Sequence, residues 1–154
     1  MKIYEYKKDS FVTIGKQGST LDGLSFVQNL WKDANSHFNE VQHLAKKDEF
    51  GNLVGVWGNM SDFSLSFQPW QENFSKGYYL AGVECVDDAI APEGWTKWII
   101  PSFEYLMVEC EEKDTFVKMI EYLSQHSLTL VGAVQDFTDP KSGKNYMLFP
   151  IKSN

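Results

Sequence analysis

The sequence contains no arginine. All 14 basic residues are lysines, against 21 aspartates and glutamates, and the formal net charge is −7. Proteins that bind nucleic acid directly cluster positive charge and favour the planar arginine side chain for phosphate and guanine. The composition therefore argues against direct nucleic-acid binding, and the acidic balance suits a cationic partner better.

Cysteine is scarce, and long apolar segments are missing. Cys85 and Cys110 lie in apolar, strand-like runs rather than at CxxC or metal-ligand spacing, which predicts free thiols in a reducing compartment. The N-terminus has no apolar signal-peptide core, and no apolar run reaches the length of a membrane span. We expect a cytoplasmic protein with no membrane contact.

Signatures of cofactor and metal sites are also missing. No GxxxxGK[ST] or strand-linked GxGxxG motif is present, so no phosphate loop is predicted. The three histidines fall on or beside the predicted helices without metal spacing or a triad pattern, and we expect them near the surface: His37, His43 and His126. We predict no cofactor and no metal.

Aromatic side chains are abundant, with 11 Phe, 7 Tyr and 5 Trp in 154 residues. A chain of this length has the size of one domain and can bury a substantial core. Rings fill cores, but this many Trp and Tyr also suit a wall that stacks on flat ligands or attracts cations.

The hydrophobic pattern predicts strands and helices in a repeated order. In chain order the elements are a strand region within 2–16, a helix from Ser25 to Ala45, a strand at 52–62, a ring-rich loop at 63–76, a buried strand at 77–86, an extended segment at 97–110 interrupted at Pro101, a second helix with its apolar stripe at 116–123, and a hairpin turning at 139–143. Strand, helix, strand, strand thus occurs twice.

Short residue matches support a duplication. Two segments agree at the same internal spacing, Val54-Gly55-Val56 with Ser61-Asp62 and Val131-Gly132-Ala133 with Thr138-Asp139, and Tyr78-x-Leu80 echoes Tyr146-x-Leu148. We therefore predict an α+β fold, a duplicated strand-helix-strand-strand unit with one antiparallel-rich sheet backed by two helices. We expect one domain over 1–154, with pseudo-repeats at about 2–88 and 97–152.

One acid lies within an apolar run. GYYLAGVECVDD, at 77–88, is apolar on both faces, as expected of a strand covered on both sides, yet it contains Glu84. If the strand alternates, Glu84 shares a face with Leu80 and Gly82, and Gly82 leaves space beside the acid. A buried carboxylate needs a cation or hydrogen bonds, so Glu84 is either paired internally or placed to meet a ligand.

Four segments together resemble one known family. LVGVWGNMSD, YYLAGVECVDD, PEGWTKWIIPSFEYLMVE and YMLFPI are similar to the GyrI-like small-molecule-binding domain, which is also the effector-binding domain of AraC-type and MerR-type multidrug regulators. The motifs are Gly-Val-Glu on the central strand, Pro-x-Gly-Trp after it, and Ile-Pro-Ser-x-x-Tyr at the start of the second half. The resemblance covers nearly the whole chain.

The resemblance implies a ligand cleft between the two halves, with an aromatic-lined pocket that receives hydrophobic cations over an acid. Glu84 matches that acid. Regulators of the family carry a DNA-binding domain on the same chain, whereas this sequence shows none and resembles a stand-alone member. Stand-alone relatives include proposed hydrolases of reactive cyclopropane-bearing DNA alkylators, so turnover is an open alternative.

The candidate ligand-binding residues are the acid, its neighbouring glycine and the rings of the matching motifs. They are Trp57, Trp70, Gly82, Glu84, Trp95, Trp98 and Tyr105. Trp rings either stack on a ligand or pack in the core, and the sequence leaves both alternatives open. Tyr105 offers its hydroxyl to a ligand or to Glu84, and these two residues are the catalytic candidates if the protein is a hydrolase.

Two further acids flank Tyr105. By alternation Glu109 shares the face of Tyr105 and is a candidate second pocket carboxylate, whereas Glu104 points the other way. The position of Glu109 at the end of the strand, before two more glutamates, favours a solvated face instead.

Three functions follow from these observations. The favoured one is binding of an amphipathic, cationic aromatic molecule, for sequestration or sensing of xenobiotics. The second is hydrolysis of a reactive xenobiotic, and the third is a protein-interaction module that inhibits a larger enzyme through its acidic surface. The identity of the ligand, a protein partner and the oligomeric state are left open by the sequence.

Overall fold

The computed structural model describes all residues from Met1 to Asn154 and shows an α+β fold, as predicted. The strands are β1 Ile3–Lys8, β2 Phe11–Ser19, β3 Val56–Ser61, β4 Tyr78–Cys85, β5 Thr96–Ile100, β6 Phe103–Glu109, β7 Gln135–Thr138 and β8 Asn145–Ser153. The helices are α1 Phe26–Ser36, the four-residue α2 Gln71–Phe74 and α3 Thr115–Gln125. All eight strands form one antiparallel sheet in the order β1-β6-β8-β7-β3-β4-β2-β5.

The predicted strand-helix-strand-strand order occurs twice, as β2-α1-β3-β4 and as β6-α3-β7-β8. The predicted extended segment at 97–110 is two strands, because Pro101 and Ser102 separate β5 from β6. Each half is preceded by an additional strand that pairs with the other half, since β1 pairs with β6 and β5 pairs with β2. The two strand-helix-strand-strand units themselves meet where β3 pairs with β7.

Two short connections force the sheet to curl. Only Asp9 and Ser10 link β1 to β2, and only Pro101 and Ser102 link β5 to β6, although the linked strands lie near opposite ends of the sheet. Three steps along the chain reach about 11 Å at most, so these ends of the sheet must come close together. One face of the sheet therefore becomes an inner face, and the other becomes an outer face.

The helices cover the outer face, which we call the helix face. The α1 half packs over a cluster that includes Ile14, Val83 and Cys85, and α3 packs over Val108 and Phe149. On each strand the alternate residues point inward, and the inner face carries most of the large rings. The sheet thus lies between two cores, one beneath the helices and one, rich in aromatic rings, on the inner face.

The first helix is shorter than predicted. It ends at Ser36, and two 3₁₀ turns, Phe38–Glu40 and Gln42–Leu44, replace the predicted continuation to Ala45. The residues from Ser36 to Asn39 are all weak helix formers, which explains the break. Val41 and Ala45 are still buried, so the turns preserve the apolar spacing that suggested a longer helix.

Candidate functional site

Glu84 lies on β4 in the middle of the sheet, and its side chain points to the inner face. The residue is only 4 % exposed. Its Oε1 accepts a hydrogen bond from the indole N–H of Trp57 at 3.0 Å, and its Oε2 accepts one from the ammonium of Lys8 at 3.2 Å. Of the two alternatives for this acid, internal pairing is the one that the structure shows.

Lys8 is the last residue of β1, and its ammonium lies among rings as well as beside the acid. Its Nζ is 4.6 Å from the centre of the Phe11 ring and 5.7 Å from that of Trp57. The Lys8 side chain keeps 19 % of its surface exposed, against 5 % for Glu84. A carboxylate with ring faces around it is an arrangement that binds organic cations, and here a lysine of the same chain is the cation.

The rings around this pair pack closely. The Trp57 ring lies 4.7 Å from that of Phe11 and 4.6 Å from that of Phe137. Trp98 belongs to the same buried cluster and donates its indole N–H to Gln17 Oε1 at 2.8 Å. We use the name inner cluster for these four rings together with the ion pair: Phe11, Trp57, Trp98, Phe137, Glu84 and Lys8.

Tyr105, on β6, belongs to the same buried core as Phe11, Trp57 and Trp98. Its ring contacts Tyr6 at 6.4 Å and Phe103 at 5.7 Å between centres. Burial, followed by the neighbouring Tyr6, raises the pKa of the Tyr105 hydroxyl. Burial and then the charge of Glu84 also raise the pKa of Tyr6. Tyr6, rather than Tyr105, is therefore the tyrosine whose pKa the charge of Glu84 affects.

Three buried polar atoms of the inner face have no hydrogen-bond partner. They are Thr13 Oγ1, Asn59 Oδ1 and the Tyr105 hydroxyl. Thr13 is the register partner of Glu84 across β2 and β4, so one of these atoms borders the acid. Buried polar groups are normally paired, so these three atoms are free to form further hydrogen bonds.

Trp70 and Trp95 lie on the other side of the sheet from Glu84. Trp70 lines a cavity of about 240 Å³ against α3, and its indole N–H donates to the Tyr78 carbonyl at 2.9 Å. Trp95 lines a cavity of about 190 Å³ under α1 and donates to Glu40 Oε1 at 2.9 Å. These two rings, which were candidates together with Trp57 and Trp98, therefore do not join Glu84, and both follow irregular segments.

Gly82 does not leave the space beside Glu84 that we predicted. A Cβ at this position would lie 2.5 Å from the Ile14 carbonyl oxygen and 2.9 Å from the Gly15 Cα. The room is filled by the backbone of β2, and Gly82 is needed because the two strands approach so closely.

The acids beside Tyr105 are engaged at the surface. Glu104 pairs with Lys7 at 3.3 Å and with Lys152 at 3.5 Å, and Glu109 pairs with Lys144 at 3.4 Å. Neither joins the inner cluster, which favours the solvated alternative for Glu109. All three histidines are exposed, as predicted, and both cysteines are free.

Sequence reasoning did not find Lys8, Phe11 and Tyr6. Tyr6 and Lys8 lie on the half-charged strand β1 and reach Glu84 only because the sheet curls. Phe11 lies on β2, which pairs directly with the strand of Glu84, but the strand region predicted within 2–16 gave no register that would show this.

Comparison with known proteins gives structural but not sequence matches. No family model matches the chain, and no curated protein matches its sequence. No helix of the structure is long and apolar enough to span a membrane.

Solved structures with the same fold cover almost the whole chain. The structure of SAV2435 bound to tetraphenylphosphonium aligns with 99 % of this chain and 94 % of its own, at 15 % identity and a TM-score of 0.66. The C-terminal domain of EcmrR aligns with 99 % and 98 %, at 9 % identity and a TM-score of 0.65. A hydrolase from Listeria innocua aligns with 98 % and 92 %, at 11 % identity and a lower TM-score of 0.50. At the level of the fold, the resemblance to the GyrI-like domain is confirmed.

Proposed function

We propose that this protein binds an amphipathic aromatic cation at the inner cluster, to sequester or sense a xenobiotic. The observation that carries the proposal is the Lys8 ammonium, which sits 3.2 Å from the Glu84 carboxylate and over the rings of Phe11 and Trp57. This contact supports the proposal, because it places a primary ammonium beside the acid and the ring faces that the ligand would use. The ring-rich walls add contact area for a ligand with aromatic groups.

Binding of an external cation requires Lys8 to leave. Lys8 ends an edge strand and is partly exposed, so its flexible side chain can move its ammonium into water without unfolding the sheet. The ligand then replaces the ion pair and adds its rings to those of Trp57 and Phe11. Glu84 keeps its hydrogen bond from Trp57 in both states, which holds the carboxylate in place.

Entry requires a second movement, because Phe67 covers the inner face. Its ring packs edge-on against Trp98 at 5.8 Å, and its carbonyl accepts a hydrogen bond from the Ala133 N–H at 2.8 Å. Phe67 and Leu65 both have a φ of +56°, a left-handed conformation that costs energy for residues other than glycine. This strained loop is the segment whose opening exposes the rings.

The ligand class agrees with the fold comparison. SAV2435 shares the fold over nearly its full length and was solved with tetraphenylphosphonium, a cation that carries four phenyl rings. An identity of 15 % supports the fold alone, so the inner cluster of this chain carries the argument for the ligand.

The test is a titration with tetraphenylphosphonium and, as a neutral counterpart, triphenylphosphine oxide, followed by tryptophan fluorescence. Glu84→Gln preserves the acceptor for Trp57 but removes the charge, and it is expected to weaken cation binding by at least about 1.5 kcal/mol, or roughly tenfold. Glu104→Gln is the matched control, because that acid is paired at the surface, and it should bind as the wild type does. Equal binding to wild type and Glu84→Gln would contradict the proposal.

Hydrolysis is the second candidate, favoured by the unpaired, buried hydroxyl of Tyr105. In that case Glu84 would protonate the substrate or activate water, with Tyr105 assisting. Both oxygens of Glu84 already accept hydrogen bonds, which favours binding over turnover. Product analysis of each titration mixture separates the two functions, because only a hydrolase consumes the compound. Absence of binding and turnover for every compound would favour the protein-interaction module.

A further inference from the structure

A cavity with a polar lining opens on the helix face, on the side of the sheet opposite Glu84. It measures about 280 Å³ and is lined by residues of α1, β3, β4, β7, β8 and the chain after β6. Its lining combines four rings with a carboxylate and several small polar groups: Trp31, Gly58, Tyr79, Cys110, Asp136, Phe137, Thr138, Asn145 and Tyr146. The volume matches a molecule with a single ring, at the small end of ordinary ligand pockets.

Asp136 is the only carboxylate of this cavity, and it has no partner. It forms no ion pair and accepts no hydrogen bond, in contrast to Glu84, which has both. Burial alone raises the pKa of Asp136 to about 6. The group is therefore ionised at neutral pH without a cation of the protein to balance it.

The other polar groups of the cavity are neutral at that pH. Burial, reinforced by the charge of Asp136, raises the pKa of Tyr79, and burial followed by Asp136 and Glu109 raises that of Cys110 to about 11. The Tyr79 hydroxyl accepts a hydrogen bond from the indole N–H of Trp31 at 3.0 Å. Gly58 keeps this hydroxyl in place, since a Cβ there would collide with it.

We propose that the Asp136 cavity is a second binding site, for a small organic ammonium ion with one ring or a short apolar chain. The uncompensated carboxylate supplies the charge that such a cation needs, and the flanking rings cover its apolar part. The two acids point to opposite faces of the sheet, so the charge of this site is distinct from that of the inner cluster, although Phe137 borders both.

The experiment is a calorimetric titration with benzylammonium, with benzyl alcohol as its neutral counterpart, at pH 7.5. We expect saturable binding of the ammonium, at least tenfold weaker binding in Asp136→Asn, and unchanged binding in Glu104→Gln, whose acid is paired at the surface. The affinity should also fall as pH drops below about 6, where Asp136 takes up a proton.

Two results would overturn the proposal: equal affinity for benzylammonium and benzyl alcohol, or unchanged binding in Asp136→Asn. Absence of benzylammonium binding to the wild type and to every variant would also overturn it. Asp136→Asn removes a half-buried, uncompensated charge, so the variant is expected to fold. The Glu84→Gln and Asp136→Asn variants also separate this site from the inner cluster, because only Glu84→Gln should weaken tetraphenylphosphonium binding.

Discussion

Two acids on opposite faces of the sheet differ in their partners: Glu84 is buried on the inner face, and Asp136 is half-buried on the helix face. Glu84 on the inner face has a lysine of the same chain and an indole N–H, whereas Asp136 on the helix face has neither. Buried charges are costly unless they are paired. Under our proposals, a ligand must displace Lys8 to reach Glu84, whereas it meets no competing cation of the chain at Asp136.

The largest expected effect comes from removing the resident cation. Lys8→Met leaves Glu84 buried without its ion-pair partner, and it should lower the free energy of unfolding by about 3 kcal/mol at neutral pH. Urea unfolding measures this loss. Adding Glu84→Gln to Lys8→Met removes the unbalanced charge and should restore most of the stability.

Lys7→Met is the matched control on the same strand. Lys7 pairs with Glu104, but its side chain is 74 % exposed, so its loss should cost less than about 1 kcal/mol. Equal effects of the two lysine substitutions would show that the Lys8–Glu84 pair is energetically an ordinary surface contact.

Substitution of Asp136, the acid on the helix face, should raise the free energy of unfolding rather than lower it. Burial raises the pKa of Asp136 from 3.8 to about 6, so the unfolded chain releases this proton first as pH rises and the folded state loses stability between these values. The accumulated loss is about 3 kcal/mol above pH 6. Because the amide of asparagine is also partly desolvated, we expect Asp136→Asn to gain about 2 kcal/mol at pH 8 and almost nothing at pH 4.

Urea unfolding of wild type and variant at both pH values checks this prediction, with Asp87→Asn as an exposed control. A stabilisation that is the same at pH 4 and pH 8 would mean that the charge of Asp136 is not its source.

Access to the inner cluster should depend on the strained loop. Phe67→Ala removes the ring that covers Trp98, and the association rate of tetraphenylphosphonium should rise at least threefold in stopped-flow fluorescence. Leu65→Ala is the control, since Leu65 has the same backbone conformation but an exposed side chain. If both variants accelerate binding equally, backbone strain rather than the Phe67 ring controls entry.

The smallest expected effect concerns the thiols. Cys110 is exposed and lies beside Asp136, whereas Cys85 is fully buried, and burial raises the pKa of each thiol to about 11. Asp136→Asn removes a negative neighbour, so alkylation of Cys110 at pH 8 should accelerate several-fold while Cys85 stays unreactive. Mass spectrometry of the labelled peptides measures both rates, and an unchanged Cys110 rate would place Asp136 too far away to act.

Much of the fold could be predicted, because regular strands and helices leave periodic apolar patterns. The rings were candidates because they lie in the motifs of the resembled family, and the structure places Trp57, Trp98 and Tyr105 in one cluster on the face of Glu84. Trp70 and Trp95 lie on the other face, and both follow irregular loops.

Residues that act only through tertiary structure could not be predicted. Lys8 reaches Glu84 because the curled sheet brings distant edges together, and the neighbours of Gly82 depend on how closely β2 approaches. Asp136 in a short polar strand gave no apolar run against which an acid would be noticed. Its lack of a partner is visible only when the surrounding elements are in place.

The most direct test of the central claim is the affinity of the Lys8→Met variant for tetraphenylphosphonium, compared with that of the wild type. If Lys8 occupies the position of the ligand's charge, its removal frees Glu84 and should tighten binding at least tenfold. Removal of a merely structural lysine would leave the affinity unchanged or weaken it. That result would contradict the account of Glu84 as a cation site held by the protein's own lysine.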